Sequence, residues 1–347
     1  MTHEFKKLVQ GYLNARHVGL SCVTATVVAL DGSSYRRPGV RMLINENGHM
    51  TGAVSGGCVE KEILKQSQTV FQTGVSKMIS YDGRYRLGCE GTLYILIERF
   101  DPSAEMLAAF EQTLDERNEF EINSSYSKTH GQNPLWGSEI HLGSQSYPFD
   151  SGKSSKVLPN PDSAEPEVFS QRFNPCFKLV IVGAEHDAAQ LSIAASHLGW
   201  EVTVVAGPSN PSVLNDFPGA EELIKTSPEN LDLKYVDDQV AVVLMTHSYV
   251  RDLNYLISLK DSRPCYIGLL GPSNRRERVL NDLIETCPGV NEELFQVIFG
   301  PAGLNIGAET PEEIAISICS EILAVIRGQE PKSLKDKSGS IHHNIRY

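Results

Sequence analysis

The C-terminal half of the chain consists of continuous apolar runs that alternate with helical patterns. The apolar runs are "FKLVIVG" (177–183), "WEVTVVA" (200–206), "VAVVLMT" (240–246) and "CYIGLLG" (265–271), and helical patterns follow near 186–199, 249–260, 273–286 and 311–328. Strands that are apolar on both faces are typical of parallel sheets covered by helices. The alternation therefore predicts a doubly wound, Rossmann-like α/β domain over residues 175–330.

The turn after the first of these strands, "VIVGAEHDAAQL", lies where dinucleotide-binding domains carry G-x-G-x-x-G/A. Gly183 fills the first position, but Glu185 stands where a glycine normally admits the pyrophosphate. The second strand ends in Ala206, where an acidic residue would hold the ribose hydroxyls. Because a carboxylate repels a diphosphate, the pattern predicts a Rossmann-like scaffold without ordinary NAD(P) binding.

Polar residues and glycines follow several of these strands at their carboxyl ends, the edge where open α/β sheets bind ligands. A histidine, basic side chains and a glycine-rich loop at one rim suit a phosphorylated or otherwise anionic ligand. Each of these residues, considered alone, could also be an ordinary solvated residue of a loop or a helix. Thr310 and Glu313 have the spacing of a capping box. The candidate cofactor-binding residues here are Gly183, His186, Asp187, Thr246, His247, Arg275, Arg276, Gly303 and Gly307.

Residues 1–117 predict a separate mixed α/β domain. Strand patterns cover 21–30, 40–45, 75–82 and 92–99, and helical patterns cover 4–16, 58–73 and 102–117. Between 118 and 174 the periodicity is lost in a segment rich in Ser, Gly, Pro and Asn, with room for one or two short strands around 136–142. We expect 118–174 to be an irregular linker and 331–347 to be a polar tail.

Two short stretches of this first domain place a cysteine beside glycines. "SGGCVEKEI" (55–63) puts Ser55, Gly56, Gly57 and Cys58 at the predicted start of a helix, and "LGCEG" (87–91) carries Cys89. A helix start offers unpaired N–H groups and a positive dipole end, and it lowers the pKa of a thiol. The first stretch is therefore either an anion cradle that holds a soft nucleophile or ligand, or an ordinary turn with a small, half-buried cysteine.

A third stretch, "GSSYRRPGVRM" (32–42), adds Arg36, Arg37 and Arg41 to the same domain. Guanidinium groups bind anions, and thiolates are soft metal ligands. Two cysteines beside an anion-binding loop favour a sulfur-bearing or metal-bearing anion over a plain sugar or amino acid.

The net charge and the cysteines of the chain limit its cellular compartment and its classes of partner. A net charge of −12 argues against nucleic acid or an anionic membrane as a partner. No apolar run is long enough to span a bilayer, and the polar N-terminal stretch is not a signal peptide. The seven cysteines form no C-x-x-C pair, which is typical of reduced thiols, so we expect a cytoplasmic protein.

Taken together, these stretches resemble the XdhC/CoxI family of xanthine dehydrogenase accessory proteins. The resemblance runs in order through "GSSYRRPGVRMLINENGHMTGAVSGGCVEKEI", "LGCEG", "IVGAEHDAAQLSIAASHLGWEVTVV", "VVLMTHSYVRDLNYL", "YIGLLGPSNRRERVL" and "GPAGLNIGAETPEEIAISICSEILAV". It covers most of residues 22–98 and 177–327. Cys58 matches the cysteine of the family's SGGC block, and Cys89 that of its CGG block.

The resemblance implies a chaperone for the molybdenum cofactor, in the molybdopterin or the nucleotide form. Such proteins promote sulfuration of the cofactor with a cysteine desulfurase and insert it into a xanthine-dehydrogenase-type apoenzyme, and members tend to be homodimers. Cys58 would then touch the metal or relay sulfur as a persulfide. Two other classes stay open: an NAD(P)-dependent oxidoreductase that uses the Rossmann-like domain, and a protein adaptor that holds no cofactor.

Overall fold

The computed structural model describes residues 1–32, 37–55, 57–82, 91–153, 166–231 and 236–336. The chain divides into two units between Pro175 and Cys176. Thirteen strands and helices of the first unit, within the described residues, follow in this order: α1 (Thr2–His17), β1 (Cys22–Asp31), β2 (Arg41–Asn45), β3 (Met50–Gly52), α2 (Cys58–Thr73), β4 (Lys77–Asp82), β5 (Thr92–Arg99), α3 (Ala104–Asp115), β6 (Phe120–Tyr126), β7 (Gly131–Gln132), β8 (Gly137–Leu142), β9 (Gln145–Pro148) and β10 (Glu167–Phe173).

The first sheet of this unit is antiparallel, with the strand order β3-β2-β1-β5-β4-β7. Its central strand β1 is buried from Cys22 to Ala29. Alternate residues of a strand point to opposite faces of the sheet. One face of β1 packs against α2 through Val59 and Ile63, and the other contacts Trp136 near β8. This double burial explains the continuous apolar run in the sequence.

The described residues of 118–174 contribute four strands to a second sheet, which corrects our expectation of an irregular linker. The short strand expected around 136–142 is present as β8. The strands of this sheet pair antiparallel in the order β10-β6-β8-β9. Phe120 and Phe173 stack at 4.6 Å between ring centroids, and both contact Phe5 of α1. The segment therefore belongs to the core of the first unit. Its inward positions include serines such as Ser124 and Ser138, so the alternation is weak in the sequence.

The second unit has the predicted doubly wound architecture. Its six parallel strands lie in the order β13-β12-β11-β14-β15-β16. The described elements are β11 (Lys178–Val182), α4 (His186–His197), β12 (Glu201–Ala206), β13 (Glu222–Lys225), β14 (Val240–Leu244), α5 (Tyr249–Ser258), β15 (Tyr266–Leu269), α6 (Ser273–Thr286), α7 (Glu292–Gln296), β16 (Ile298–Phe299) and α8 (Pro311–Ile326).

Helices cover both faces of this sheet. One apolar cluster joins the strands to α4 and α8, for example through Leu191 and Ile318, and the other joins them to α5 and α6 through Leu256 and Leu283. Thr310 caps α8 by accepting the N–H of Glu313, and the Glu313 carboxylate accepts the N–H of Thr310, which confirms the predicted capping box.

Two shorter strands of this sheet, β13 and β16, were not predicted, because each has only a few residues at an edge of the sheet. Of the predicted polar tail, 331–336 contains a single 3₁₀ turn (Leu334–Asp336), and the remainder lies outside the described residues. Within the described ranges, no helix has both the length and the apolar composition that a membrane crossing demands.

Candidate functional site

The glycine turn before α2 closes on a carboxylate of its own helix. Glu60 accepts the backbone N–H groups of Val54 at 3.1 Å, Ser55 at 2.5 Å and Gly57 at 2.7 Å. The Ser55 hydroxyl also donates to Glu60, at 2.7 Å. The carboxylate therefore gathers four donors at the electropositive start of α2.

Burial alone would raise the pKa of Glu60, but the hydrogen bonds from Ser55 and Gly57 outweigh it and leave that pKa lowered. Glu60 is thus ionised at neutral pH and occupies these donors itself. This corrects the expectation that Ser55 and Gly57 offer free N–H groups to a bound anion. Glu60 is three positions after the residue that precedes α2, which is the position of the second member of a capping box. This spacing is the signal in the sequence that could have identified Glu60.

Gly57 and Cys58 lie where the sequence predicted the helix to begin. Gly57 precedes α2 with φ +117°, a conformation that favours glycine, and a Cβ added there would meet no atom within 4 Å. Cys58 is the first residue of α2. The side chain of Cys58, and the expected site residues Gly56, Arg36 and Cys89, lie outside the described residues.

Arg41 lies in the interior of the first unit. Its Nη1 donates to the Gly39 carbonyl at 3.1 Å and to Gln171 of β10. Desolvation lowers the pKa of Arg41 to about 10, opposed by the nearby Glu98 carboxylate. Arg41 was expected to bind the cofactor, but its guanidinium is buried against Gln171 and Phe173 of β10. Arg37 is half-buried beside the same turn.

In the second unit, Gly183 directly follows β11 and has φ +137°. A Cβ at this position would lie 2.5 Å from the backbone oxygen of Met245, just past β14. The glycine therefore allows the β11–α4 turn to approach the end of β14. This close packing is sufficient to explain the first glycine of the dinucleotide-like turn without a bound nucleotide.

A cavity of about 390 Å³ opens at the carboxyl ends of the central strands of this sheet. That volume is within the range of small-molecule sites. The cavity lies between the turns that follow β11, β12, β13 and β14. Its lining consists of Gly183, Ala184, Glu185, Val205, Gly207, Pro208, Ser209, Asn210, Ser227, Pro228, Glu229, Thr246, Arg251 and Tyr255.

The cavity carries opposite charges on two of its walls. Glu185 immediately precedes α4, and its side chain caps no N–H of that helix. Arg251 is in the first turn of α5 and is the one cationic side chain among the described residues that line the cavity. As the sequence indicated, a carboxylate therefore occupies the place where a diphosphate would meet the start of α4.

A buried carboxylate holds the turn after β14. Asp252 is 1% exposed, and it accepts the Thr246 N–H at 3.2 Å and the Thr246 hydroxyl at 2.6 Å. Its second oxygen forms an ion pair with Arg275 of α6. Both Thr246 and Arg275, expected as ligand contacts, are thus engaged inside the protein. Asp252 was missed because an acidic residue in a first helical turn is usually solvated.

His247 has a left-handed backbone, with φ +55°, directly after Thr246. Such a conformation is uncommon for a residue other than glycine. The His247 Nε2 lies 3.9 Å from an Asp187 carboxylate oxygen of α4. This contact joins the ends of β11 and β14, which form the switch point of the sheet. His186, the neighbour of Asp187, is exposed.

Of the three remaining expected residues of the second unit, Arg276 and Gly303 have structural contacts. Arg276 donates from Nε to the Ile298 carbonyl at 3.2 Å. A Cβ at Gly303 would overlap the Ser317 hydroxyl of α8, so this glycine permits close packing. Gly307 has φ +75° in open space. None of the three is among the described residues that line the cavity.

The structure therefore brings together only part of the expected site. Of the nine candidates in the second unit, Gly183 and Thr246 line the cavity. The polar residues Ser209, Asn210 and Ser227 line it too, and they were not selected from the sequence, although the first two follow a predicted strand end. Among the residues that the structure describes, no group of three or more His, Cys, Asp or Glu side chains is placed to hold a metal ion.

Comparison with known proteins gives consistent matches in both units. Residues 15–82 match the family model described as "XdhC and CoxI family", and residues 179–322 match the "XdhC Rossmann domain". A Bacillus subtilis protein, named as a probable subunit of xanthine dehydrogenase, is 30% identical over 87% of this chain and 92% of its own length. The Escherichia coli molybdenum cofactor insertion chaperone PaoD is 23% identical over 96% of this chain and 92% of its own length.

A solved structure matches as well. The crystal structure described as a xanthine dehydrogenase from Bacillus halodurans has a TM-score of 0.76 and 26% sequence identity to this chain. The match covers 93% of this chain and 96% of that one.

Proposed function

Because this chain belongs to the XdhC and CoxI family, we propose that it is a chaperone that binds the molybdenum cofactor and inserts it into a xanthine-dehydrogenase-type apoenzyme. The observation that carries this proposal is the match across both units at 30% identity to the Bacillus subtilis relative. The name of the Escherichia coli relative states such a role for that protein. The cofactor is the cargo of the reaction, which the chaperone receives and releases.

The finer part of the proposal concerns sulfur. We propose that a cysteine desulfurase supplies sulfur for the bound cofactor and that Cys58 either contacts the metal or attacks the outer sulfur of a desulfurase persulfide. This exchange leaves the persulfide on Cys58 and releases the thiolate of the desulfurase. The position of Cys58 at the start of α2 supports this role, because a helix N-terminus favours a thiolate. Glu60 works against it, since its carboxylate already occupies several of the N–H groups at that end.

The proposal also includes the assembly and the compartment. We expect a homodimer that works in the cytoplasm, where its cysteines stay reduced. Cys22 and Cys319 are buried and form no disulfide within the described residues. Burial raises the pKa of the Cys319 thiol to about 12, so it stays protonated and unreactive.

An oxidoreductase that uses NAD(P) is the alternative that the doubly wound sheet alone would suggest. Glu185 lines the cavity beside α4, where that cofactor would place its diphosphate. Ala206 ends β12 without the carboxylate that would bind the ribose hydroxyls. Both observations favour the chaperone over the oxidoreductase.

The proposal is tested by transfer of the cofactor. The full chain is produced in a host that makes the molybdenum cofactor, purified without oxygen, and mixed with a cofactor-free xanthine-dehydrogenase-type enzyme. We expect enzyme activity to appear in proportion to the chaperone added, and pterin to leave the chaperone in the same proportion. An apoenzyme that stays inactive, with pterin retained or absent, would reject the proposal.

A further inference from the structure

A polar layer, made of Thr24, Thr26, Arg41 and Glu98, lies on one face of the first sheet of the first unit. Arg41 of β2 pairs directly with Thr26 of β1, and Glu98 of β5 pairs with Thr24 of β1. Residues that pair directly across strands point to the same face, and so do alternate residues of one strand. All four side chains therefore share a face, and each is at most 7% exposed.

The second sheet of the unit covers this polar layer. Gln171 of β10 accepts a hydrogen bond from Arg41. Ser138 of β8 donates to Glu98 twice, from its N–H at 2.7 Å and from its hydroxyl at 2.6 Å. The layer is thus shielded from solvent, so its polar groups need partners that lie inside the protein.

Arg41 and Thr26 lack some of these partners. Arg41 donates through Nη1, and within the described residues its Nε and Nη2 have no hydrogen-bond partner. In the same part of the chain the hydroxyls of Thr24 and Thr26 have none either. Nε and Nη2 form one edge of the guanidinium, the fork with which arginine binds anions. Because a buried charged donor without an acceptor is costly, this edge of Arg41 calls for an acceptor.

The charges around the layer are positive in sum. Glu98 is the carboxylate among the described residues whose charge acts on Arg41. Burial raises the pKa of Glu98, against hydrogen bonds from Ser138 and the charges of Lys153 and Arg41. Two cations therefore act on a single carboxylate. The sum is positive whether Glu98 is ionised or neutral, so the acceptor that Arg41 calls for is better an anion than a neutral group.

A small cavity reaches Arg41 from the side of α1. Its volume is about 20 Å³, and its lining includes the apolar side chains of Phe5, Leu8 and Phe173. A volume of this size holds one particle about as large as a water molecule. A halide ion fits that limit, whereas a phosphate or a carboxylate does not. Glu4 also lines the cavity, but its side chain is exposed, so solvent screens its charge.

We propose that the first unit binds one halide ion, such as chloride, at Arg41 between its two sheets. The ion accepts hydrogen bonds from Nε and Nη2 of Arg41 and from the hydroxyl of Thr26. It also supplies the negative charge that the polar layer lacks. Since the unfolded chain has no such site, bound halide stabilises the folded protein.

The test is thermal unfolding of the full chain in sodium chloride, sodium bromide and sodium gluconate at equal sodium concentrations. We expect the unfolding temperature to rise with halide concentration relative to gluconate, which is too large for the cavity. Thr26→Val keeps the shape of the side chain but removes one donor, so it should weaken the halide affinity about tenfold. The matched control is Thr113→Val in α3, whose hydroxyl donates to the Ala109 carbonyl away from the layer.

The opposite result for Thr26 would overturn the inference. If no ion is present, the Thr26 hydroxyl is a buried group without a partner, and Thr26→Val should stabilise the chain equally in all three salts. A crystal of the native chain grown in bromide gives a second measurement that needs no variant. We expect an anomalous bromide peak beside the Arg41 guanidinium, and a water molecule or no peak there would reject the site. Neither measurement depends on the cofactor, so the chaperone proposal stands or fails separately.

Discussion

Glu60 accepts the backbone N–H of Gly57 at 2.7 Å, so the helix that begins at this glycine turn is capped from within. The same carboxylate also holds Ser55 and Val54. This relationship fixes the backbone on which Cys58 begins α2. It also means that an anion brought to this turn must compete with an ionised side chain that is already in place.

Replacing Glu60 by Ala should destabilise the protein by about 2–3 kcal/mol, because the buried Val54 N–H and the N–H groups of Ser55 and Gly57 lose a charged acceptor. Urea unfolding monitored by circular dichroism measures this loss. The matched control is Glu313→Ala, which removes the corresponding glutamate of the exposed capping box of α8 and should cost clearly less. Equal losses in the two variants would mean that the Glu60 contacts add nothing beyond ordinary capping.

The Glu60 carboxylate should also make the stability of the protein depend on pH. Its pKa is lower in the folded chain than in the unfolded chain, so its stabilisation is present above the unfolded value of about 4.3 and is lost as pH falls through the folded value. We expect the unfolding free energy of the native chain to fall on acidification from about pH 5. The fall should be smaller in Glu60→Gln. Parallel pH profiles for both chains would contradict the assignment.

Gly183→Ala should destabilise the second unit by at least about 2 kcal/mol, because the new Cβ would meet the Met245 carbonyl and the backbone has a positive φ. Gly307→Ala is the control. It also has a positive φ but nothing within 4 Å, so it should cost about 1 kcal/mol. Thermal unfolding compares the two. A native-like melting temperature for Gly183→Ala would refute the close approach.

The doubly wound sheet could be predicted because its strands are apolar on both faces, and α2 because its helical pattern begins directly after two glycines. Of the second sheet, only a short strand around 136–142, observed as β8, could be predicted, because buried Ser124 interrupts the apolar alternation of β6. The burial of Arg41 was hidden for a related reason. Arg41 is covered by Gln171 of β10, which is 130 residues further along the chain. Gln171 belongs to a segment that we predicted to be a linker.

Asp252→Ala should destabilise the chain by about 2–4 kcal/mol. The change leaves the Arg275 guanidinium without its buried partner and frees the Thr246 hydroxyl and N–H. Chemical denaturation gives the value, and Asp261→Ala, an exposed aspartate of the same unit, is the control. A change within experimental error for Asp252→Ala would show that the network does not support the β14–α5 turn.

Cys58→Ser should reduce the pterin and molybdenum that copurify with the chain, without changing its stability, if Cys58 contacts the metal or carries sulfur. Cys287→Ser removes a half-buried thiol of the second unit and serves as the control. Both variants are purified in parallel and assayed for pterin and metal. Equal cofactor content in the two would remove Cys58 from the proposed mechanism and leave the insertion function to other residues.

The most direct test of the central claim is the pterin and molybdenum content of the native chain, purified without oxygen from a host that makes the cofactor. The chaperone proposal predicts that pterin and molybdenum copurify in equal amounts and leave together when an apoenzyme of the xanthine dehydrogenase type is added. A chain that contains neither, and that instead binds NADH and oxidises it in the presence of a substrate, would contradict it.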